Sequence, residues 1–264
     1  MEYDPSSSVS ASIVLYKTHL RAIAPLIEDL AQAGVAQIVV IDNSPPSFKK
    51  DDVPLPDGVR LLRTGRNLGY GKAHNIGIRD SVGASRYHLI CNPDIKVAPD
   101  TISTLTRYMD SNPSVGLCMP KLLTPAGEMQ YCCRRSPLLL DYVSQVIAPA
   151  GWGRARKEAL EMRSCDYESA MEPQCLSGCF MFFRSEILAN LGGFDERFFL
   201  YFEDFDLSVR SRLLARNVYL PVTHVIHERQ SAHLRSWRLK FAFIRSAIQY
   251  FGKWGWFSPR NSNV

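Results

Sequence analysis

The feature that most constrains this chain is its opening alternation of apolar runs and amphipathic stretches. Residues 12–16 form a short apolar strand, and Thr18 N-caps a predicted helix to Ala33 whose Leu20, Ile23, Leu26, Ile27 and Leu30 share one face. Gly34 closes that helix. The run Val-Ala-Gln-Ile-Val-Val-Ile at residues 35–41 is nearly all apolar, as a parallel strand covered by helices on both faces requires. Strand, helix and strand in this order predict a βαβ unit and a parallel sheet. With 264 residues, 46% of them hydrophobic, the chain can bury one large domain, alone or with an appendage, and disorder is excluded.

Open α/β sheets bind ligands beyond the carboxyl ends of their strands, so the residues that follow each strand matter. The second strand stops at Asp42-Asn43-Ser44-Pro45-Pro46. A third, at 59–63, leads into Asn67-Leu68-Gly69-Tyr70-Gly71-Lys72-Ala73-His74-Asn75-Ile76-Gly77, a glycine turn feeding a helix that ends near Gly83. This is either a plain turn or a helix start whose N–H groups, with Lys72, meet a phosphate. It is not a dinucleotide fingerprint, because the third glycine is misplaced. A fourth strand, 87–91, ends in Asn92-Pro93-Asp94, where the proline stops the ladder and presents Asp94. Asn-Pro-Asp is also ordinary turn chemistry. Position favours a site, since Asp42, the 67–72 loop and Asp94 are expected on one rim.

Residues 99–111 read as a helix and 115–119 as a strand. Residues 122–173 are the least regular part, with Arg134-Arg135 and a Gly151-Trp152-Gly153 turn, and read as an insertion or lid. An apolar strand at 176–183 and a helix at 185–191 lead to the Gly192-Gly193-Phe194-Asp195 turn. The stretch Phe198-Phe199-Leu200-Tyr201-Phe202-Glu203-Asp204-Phe205-Asp206 then crowds five aromatics around three carboxylates. Acids favour a helix start, here of a helix running to about Ala215, but capping needs only one of them. Residues 218–227 form one strand, or two broken by Pro221, on which His224 and His227 face opposite sides and so do not share a metal.

From 233 to 257 the spacing of Trp237, Phe241, Ile244, Ile248 and Phe251 makes a helical stripe. Such a helix either docks on the domain or meets anionic lipid, or does both. The net charge of +5 gathers here: Arg229, Arg235, Arg238, Lys240, Arg245, Lys253 and Arg260 stand against Glu228 alone, which suggests a phosphate-bearing partner or a membrane surface. Asp42, Asp94 and Asp204 would together repel nucleic acid unless a cation intervened, and no nucleic acid is expected as a partner. Seven cysteines without a Cys-x-x-Cys pair read as reduced thiols of a cytosolic chain. Neither a signal peptide at 1–12 nor an apolar run of membrane-spanning length is expected.

The motifs Asp42-Asn43-Ser44, Asn67-x-Gly69-Tyr70-Gly71-x-Ala73-x-Asn75-x-Gly77, Asn92-Pro93-Asp94 and Ser177-Gly178 come first in a longer series. Gly193-Phe194-Asp195-Glu196-x-Phe198-Phe199, Glu203-Asp204-x-Asp206-Leu207 with Arg210, and His227 before Ser231 complete it. In order and spacing the set resembles the family 2 glycosyltransferases over about residues 10–255, and within them the bacterial rhamnosyltransferases of O-antigen and cell-envelope glycans. The resemblance implies an α/β GT-A (Rossmann-like) fold, with a mixed, mainly parallel sheet flanked by helices and a C-terminal amphipathic helical part. It divides the chain into a transferase domain at 1–231 and a basic aromatic helix at 232–264. Within the domain, about 10–121 is the nucleotide-sugar half, 122–173 the insertion or lid, and 174–231 the acceptor half.

The roles it implies are a divalent metal (Mg²⁺ or Mn²⁺) at Asp94 and His227, donor contacts at Asp42, Asn43, Asn67, Gly71, Lys72, Asn75, Asn92 and Asp94, and catalysis by Asp204 with Glu203. Gly178, Glu203 and Arg135 are assigned to the acceptor. The implied partners are dTDP-β-L-rhamnose, a polyprenyl-diphosphate-linked N-acetylglucosamine and, through the C-terminal helix, the inner face of the plasma membrane. The chain departs from the family pattern at Tyr16-Lys17, where an asparagine is frequent. Other sugar donors, a nucleotidyltransferase, and a non-catalytic membrane- or nucleic-acid-binding module are the competing readings.

Overall fold

The computed structural model describes residues 8–49, 51, 53–147, 150–228 and 237–257. Arg229, Ser231, Arg235 and Arg260, and the start of the predicted 233–257 helix, lie outside them.

The strands are β1 (Val9–Leu15), β2 (Val35–Asp42), β3 (Val59–Arg63), β4 (Tyr87–Cys91), β5 (Ile95–Val97), β6 (Val115–Leu123), β7 (Cys133–Arg134), β8 (Cys175–Leu176), β9 (Phe180–Arg184) and β10 (Arg216–His227). The helices are α1 (Ala24–Gln32), α2 (Tyr70–Ser81), α3 (Thr101–Ser111), α4 (Leu139–Ile147), α5 (Ala150–Leu160), α6 (Ser185–Leu191), α7 (Glu203–Arg212) and α8 (Trp237–Trp254). Eight strands form one mixed, mainly parallel sheet in the order β3-β2-β1-β4-β9-β6-β10-β5, in which β9 and β5 run against their neighbours. β7 and β8 form a separate antiparallel pair.

The period of two along the first strands gives the sheet its two covered faces. Ile13, Leu15, Ile38 and Val40 join the main core with Leu26, Ile27 and Leu30 of α1. Val14, Val39 and Ile41 point the other way and pack on Ala73 of α2. That is why 35–41 reads as apolar on both sides.

Four local expectations change. Thr18 does not cap the first helix: a 3-10 turn, Leu20–Ile23, precedes α1, and the Asp51 carboxylate accepts the Leu20 and Arg21 N–H groups at 2.8 and 2.9 Å. The cap thus comes from some thirty residues along the chain. Gly151-Trp152-Gly153 is not a turn but the start of α5, where Arg156 stacks on Trp152 one turn earlier and pairs with buried Asp141 of α4 at 2.8 Å. The single strand expected at 176–183 is split into β8 and β9, because the N–H and C=O of Gly178 leave the ladder for Asp204 and Tyr70. Pro221 does not break β10: its register with β6 jumps between Leu220 and His224, and a bulge absorbs residues 221–223.

Candidate active site

A cavity of about 500 Å³ opens where β1, β2 and β4 end, bounded by Tyr16, Asn43, Asn67, Tyr70, Asn92 and Asp94, with Leu239 of α8 also lining it. Such a volume suits a small-molecule ligand. Asn43 is committed to building this rim: its Nδ2 donates to Asn67 Oδ1 at 3.0 Å and to the Gly69 carbonyl at 3.1 Å, while its Oδ1 accepts Leu68 N–H at 2.9 Å. Asp42 is buried below it and accepts the Ser44 N–H at 3.0 Å, with Arg63 Nε 4.0 Å away.

Gly71, Lys72 and Asn75 do not line this cavity. They grip the 193–196 turn instead. A Cβ on Gly71 would meet Phe194 Cβ at 2.8 Å, Lys72 lies 2.8 Å from Glu196, and Asn75 exchanges two 2.8 Å hydrogen bonds with the Phe194 backbone. Nor is the start of α2 an open phosphate cradle, since the Tyr70 N–H donates to the Phe199 carbonyl at 2.9 Å. That contact explains Gly69, whose φ is +91° and where a Cβ would lie 2.2 Å from the Phe199 oxygen.

Asp94 and His227, far apart in sequence, are set side by side by the antiparallel pairing of β5 with β10, in which His227 is opposite Ile95. The Glu228 N–H donates to the Asp94 carbonyl at 2.9 Å and locks this register. His227 Nε2 stands 3.4 Å from Asp94 Oδ1, and that oxygen is buried without a hydrogen-bond partner. An unpartnered carboxylate oxygen facing an imidazole nitrogen fits a divalent cation. Among the described residues no group of three or more His, Cys, Asp or Glu side chains converges, so a cation here would draw further ligands from substrate or water. His224 is exposed on the opposite side of the strand.

Asp204 and Glu203 open α7 from a turn in which Tyr201 and Phe202 both take left-handed backbone, with φ of +70° and +66°. Two such non-glycine residues cost on the order of 1–2 kcal/mol each. What holds them is the aromatic stretch itself: Phe198 and Phe202 pack with Tyr250 and Phe251 of α8 in a separate core. The aromatics therefore anchor α8 as well as dehydrate the acids. Asp204 Oδ2 accepts the Gly178 N–H at 3.0 Å and Oδ1 its neighbour Phe205 N–H at 2.9 Å.

Glu203 is buried, and its Oε2 has no partner. Burial, aided by the charge of Asp204, pushes the Glu203 carboxyl up to about 8. Burial raises Asp204 too, but the Gly178 and Phe205 N–H groups and the Arg134 guanidinium oppose it. The environments separate the pair: hydrogen bonds and a guanidinium favour charge on Asp204, while burial and a like charge disfavour it on Glu203.

Tyr70 joins the two halves. Its hydroxyl lies 2.9 Å from Asn92 Oδ1 and 2.6 Å from the Gly178 carbonyl, so one residue braces the turn that carries Asp94 and the one that holds Asp204. Beyond His227 a second cavity of about 320 Å³ is walled by Gln130, Tyr131, Arg134, Arg163, Ser177 and His227. Arg135, expected at the acceptor together with Gly178 and Glu203, does not line this cavity: its guanidinium binds Asp141. Adjacent residues of an extended segment face opposite ways, and it is Arg134 that turns inward. Tyr70, Arg134 and Gln130, which line the two cavities, were not among the expected site residues. The Asn-x-Gly-Tyr motif carries Tyr70, but nothing local marks Gln130.

A sequence model described as Glycosyltransferase like family 2 matches residues 38–251. Over 219 residues the chain is 29% identical to the N-acetylglucosaminyl-diphospho-decaprenol L-rhamnosyltransferase of Mycobacterium tuberculosis, covering 74% of this chain and 69% of that protein. It is 26% identical over 258 residues to the rhamnosyltransferase WbbL of Escherichia coli, covering 94% and 95%. Among solved structures, GalNAc-T7 with UDP, GalNAc and Mn²⁺ superposes with a TM-score of 0.65 at 14% identity. That alignment covers 94% of this chain but 48% of the other, and at such identity it establishes the GT-A fold alone.

Proposed function

This chain belongs to Glycosyltransferase like family 2, and we propose that it is an inverting, metal-dependent enzyme that transfers L-rhamnose from dTDP-β-L-rhamnose to a polyprenyl-diphosphate-linked N-acetylglucosamine. The observation that carries this reading is the pairing of two sites across Tyr70: Asp94 with His227 on one side, Gly178 with Asp204 on the other. The rhamnosyltransferases among its relatives support rhamnose as the sugar transferred, and the Mycobacterium tuberculosis relative supports a polyprenyl-diphosphate-linked N-acetylglucosamine acceptor.

The donor occupies the larger cavity, with its diphosphate toward Asp94 and His227. Those two side chains would hold the Mg²⁺ or Mn²⁺, and the ion would supply positive charge against that developing on the leaving diphosphate. The acceptor enters from the smaller cavity, where Arg134 and Arg163 favour its anionic part. Asp204 takes the proton of the attacking hydroxyl, and direct displacement inverts the anomeric carbon. Glu203, held neutral, keeps a second negative charge away from the donor phosphates.

The lipid part of the acceptor gives α8 its role. The helix docks through Ala242, Ser246, Tyr250 and Phe251, while Trp237, Phe241, Ile244 and Ile248 are 83%, 69%, 56% and 55% exposed. Residues 237–257 contain no acid, and Arg238, Lys240 and Arg245 are exposed on the same helix. Among the described residues no helix is long and apolar enough to cross a membrane. An exposed apolar stripe flanked by bases fits the anionic inner face of the plasma membrane.

The test is thermal stabilisation by dTDP-rhamnose, UDP-galactofuranose and UDP-glucose, each with and without Mn²⁺. Stabilisation by dTDP-rhamnose that requires Mn²⁺ supports the reading. Stabilisation by a uridine sugar alone overturns the rhamnosyl donor, and release of pyrophosphate during turnover would point to nucleotidyl transfer.

A further inference from the structure

We propose that Gln130 is a positioning residue of the cation site, holding His227 in the tautomer whose Nε2 lone pair faces Asp94. The inference rests on the proposed cation site and adds to it a side chain that acts on the cation only through His227.

Gln130 lies 97 residues before His227, just past the end of β6. Its backbone N–H donates to the Leu122 carbonyl at 2.8 Å, and the adjoining Leu123–Met129 bridge fixes the segment. From there the side-chain amide meets His227 twice. Its Nε2 donates to the His227 carbonyl at 2.8 Å and, at 3.3 Å, to that of Leu123. Its Oε1 stands 3.1 Å from His227 Nδ1.

The two carbonyls decide which end of the amide is nitrogen, because the reverse orientation would set an oxygen against two oxygens. Oε1 can only accept, so His227 Nδ1 carries the hydrogen. In the neutral ring Nε2 is then a lone pair, 3.4 Å from the unpartnered Asp94 Oδ1. In that neutral form two electron-pair donors face each other with no hydrogen between them. The arrangement is unfavourable by itself and favourable around a cation. Neither backbone can withdraw, since Ile95 and His227 are paired across β5 and β10 and Glu228 N–H binds the Asp94 carbonyl. A partner on the far nitrogen that fixes the ring of a ligating histidine commonly governs metal affinity.

The experiment uses the full chain as wild type, Gln130→Met and His227→Ala. Mn²⁺ is titrated in the presence of dTDP, and the histidine tautomers are read by ¹⁵N NMR, with His227→Ala assigning the resonance. The expected results are an Nδ1–H tautomer in the wild type, loss of that preference in Gln130→Met, and Mn²⁺ affinity about 10- to 100-fold weaker in Gln130→Met. Binding of dTDP without metal should be unchanged. A merely structural role would lower the melting temperature without moving the tautomer. Wild-type Mn²⁺ affinity in Gln130→Met, or an Nε2–H tautomer in the wild type, overturns the proposal. Should Gln130→Met fail to fold, the wild-type tautomer alone decides. Absence of Mn²⁺ binding by the wild type would instead overturn the cation site, leaving the ¹⁵N spectra to judge Gln130.

Discussion

The Gly178 N–H donates to Asp204 Oδ2 at 3.0 Å, spanning 26 residues of sequence. The contact aims one carboxylate oxygen, and it leaves no spare room, since a Cβ on Gly178 would sit 3.1 Å from Asp204 Cβ. Asp204→Asn keeps the shape and removes the proposed base. Its turnover should fall by about 10²- to 10⁴-fold while dTDP affinity stays near that of the wild type. Nucleoside diphosphate release checks the first and calorimetry the second; a rate above about a tenth of wild type would transfer the role to Glu203.

Glu203 makes stability fall as pH rises. Its carboxyl is pushed from 4.5 to about 8 in the folded protein. Between those values the folded state holds a proton that the unfolded state has lost, so raising the pH costs up to about 1.4 kcal/mol of stability per unit. Denaturant curves should show this loss between pH 5 and 8 in the wild type and a shallower one in Glu203→Gln. Parallel slopes would mean that the carboxylate is ionised throughout.

His74 and His88 act in the opposite sense. Both are buried and hydrogen-bonded to serines, and burial lowers each to about 3 from 6.5. Their neutral forms therefore contribute stability that is complete above about pH 6.5 and is lost as the pH falls toward 3. His88→Gln should flatten acid unfolding monitored by circular dichroism in that window; an unchanged acid midpoint would assign the acid sensitivity elsewhere.

Trp254 of α8 donates its Nε1–H to Asp206 Oδ1 at 2.8 Å, beside Lys253 Nζ at 2.6 Å, and Arg210 takes the other oxygen at 2.8 Å. Asp206 is fully buried, so each partner matters. Trp254→Phe keeps the ring and removes the donor, and should cost about 1.5–3 kcal/mol in urea unfolding. A cost below about 0.5 kcal/mol would mean that Lys253 and Arg210 suffice.

Trp237→Ala combined with Phe241→Ala removes two side chains that are 83% and 69% exposed. Stability should stay within about 0.5 kcal/mol of the wild type. Sedimentation with phosphatidylglycerol vesicles should fall at least about fivefold, given the apolar area withdrawn. Undiminished sedimentation would rule out this face as the lipid contact.

The sequence by itself determined most strands, most helices and the rim, but not β5, β7 or the helices α4 and α5 within residues 122–173. Residues 35–41 announce a doubly covered strand because each face of that sheet has its own helix, and Asp42 and Asp94 fall at strand ends because polar groups and proline stop the ladder there. Such patterns are written within a few residues of each other. The aromatic and acidic stretch was equally visible, though its partner, the buried face of α8, was not.

What only the tertiary structure decided is which distant atoms meet. His227 faces Asp94 through a three-residue antiparallel pairing, Asp204 is aimed by an N–H that left the sheet, and Gln130 reaches His227 across 97 residues. Gly71 and Lys72 read equally as a phosphate-binding turn or a plain one, because a glycine turn at a helix start looks the same whether it meets a ligand or another turn, and Asn75 was expected at the donor only through the resemblance. Arg134 and Arg135 are indistinguishable until strand twist and the buried Asp141 choose between them. Periodicity is a local property of the chain, whereas hydrogen-bond partners are chosen by where the folded backbone leaves an unsatisfied group, and that is fixed only when the whole core has packed.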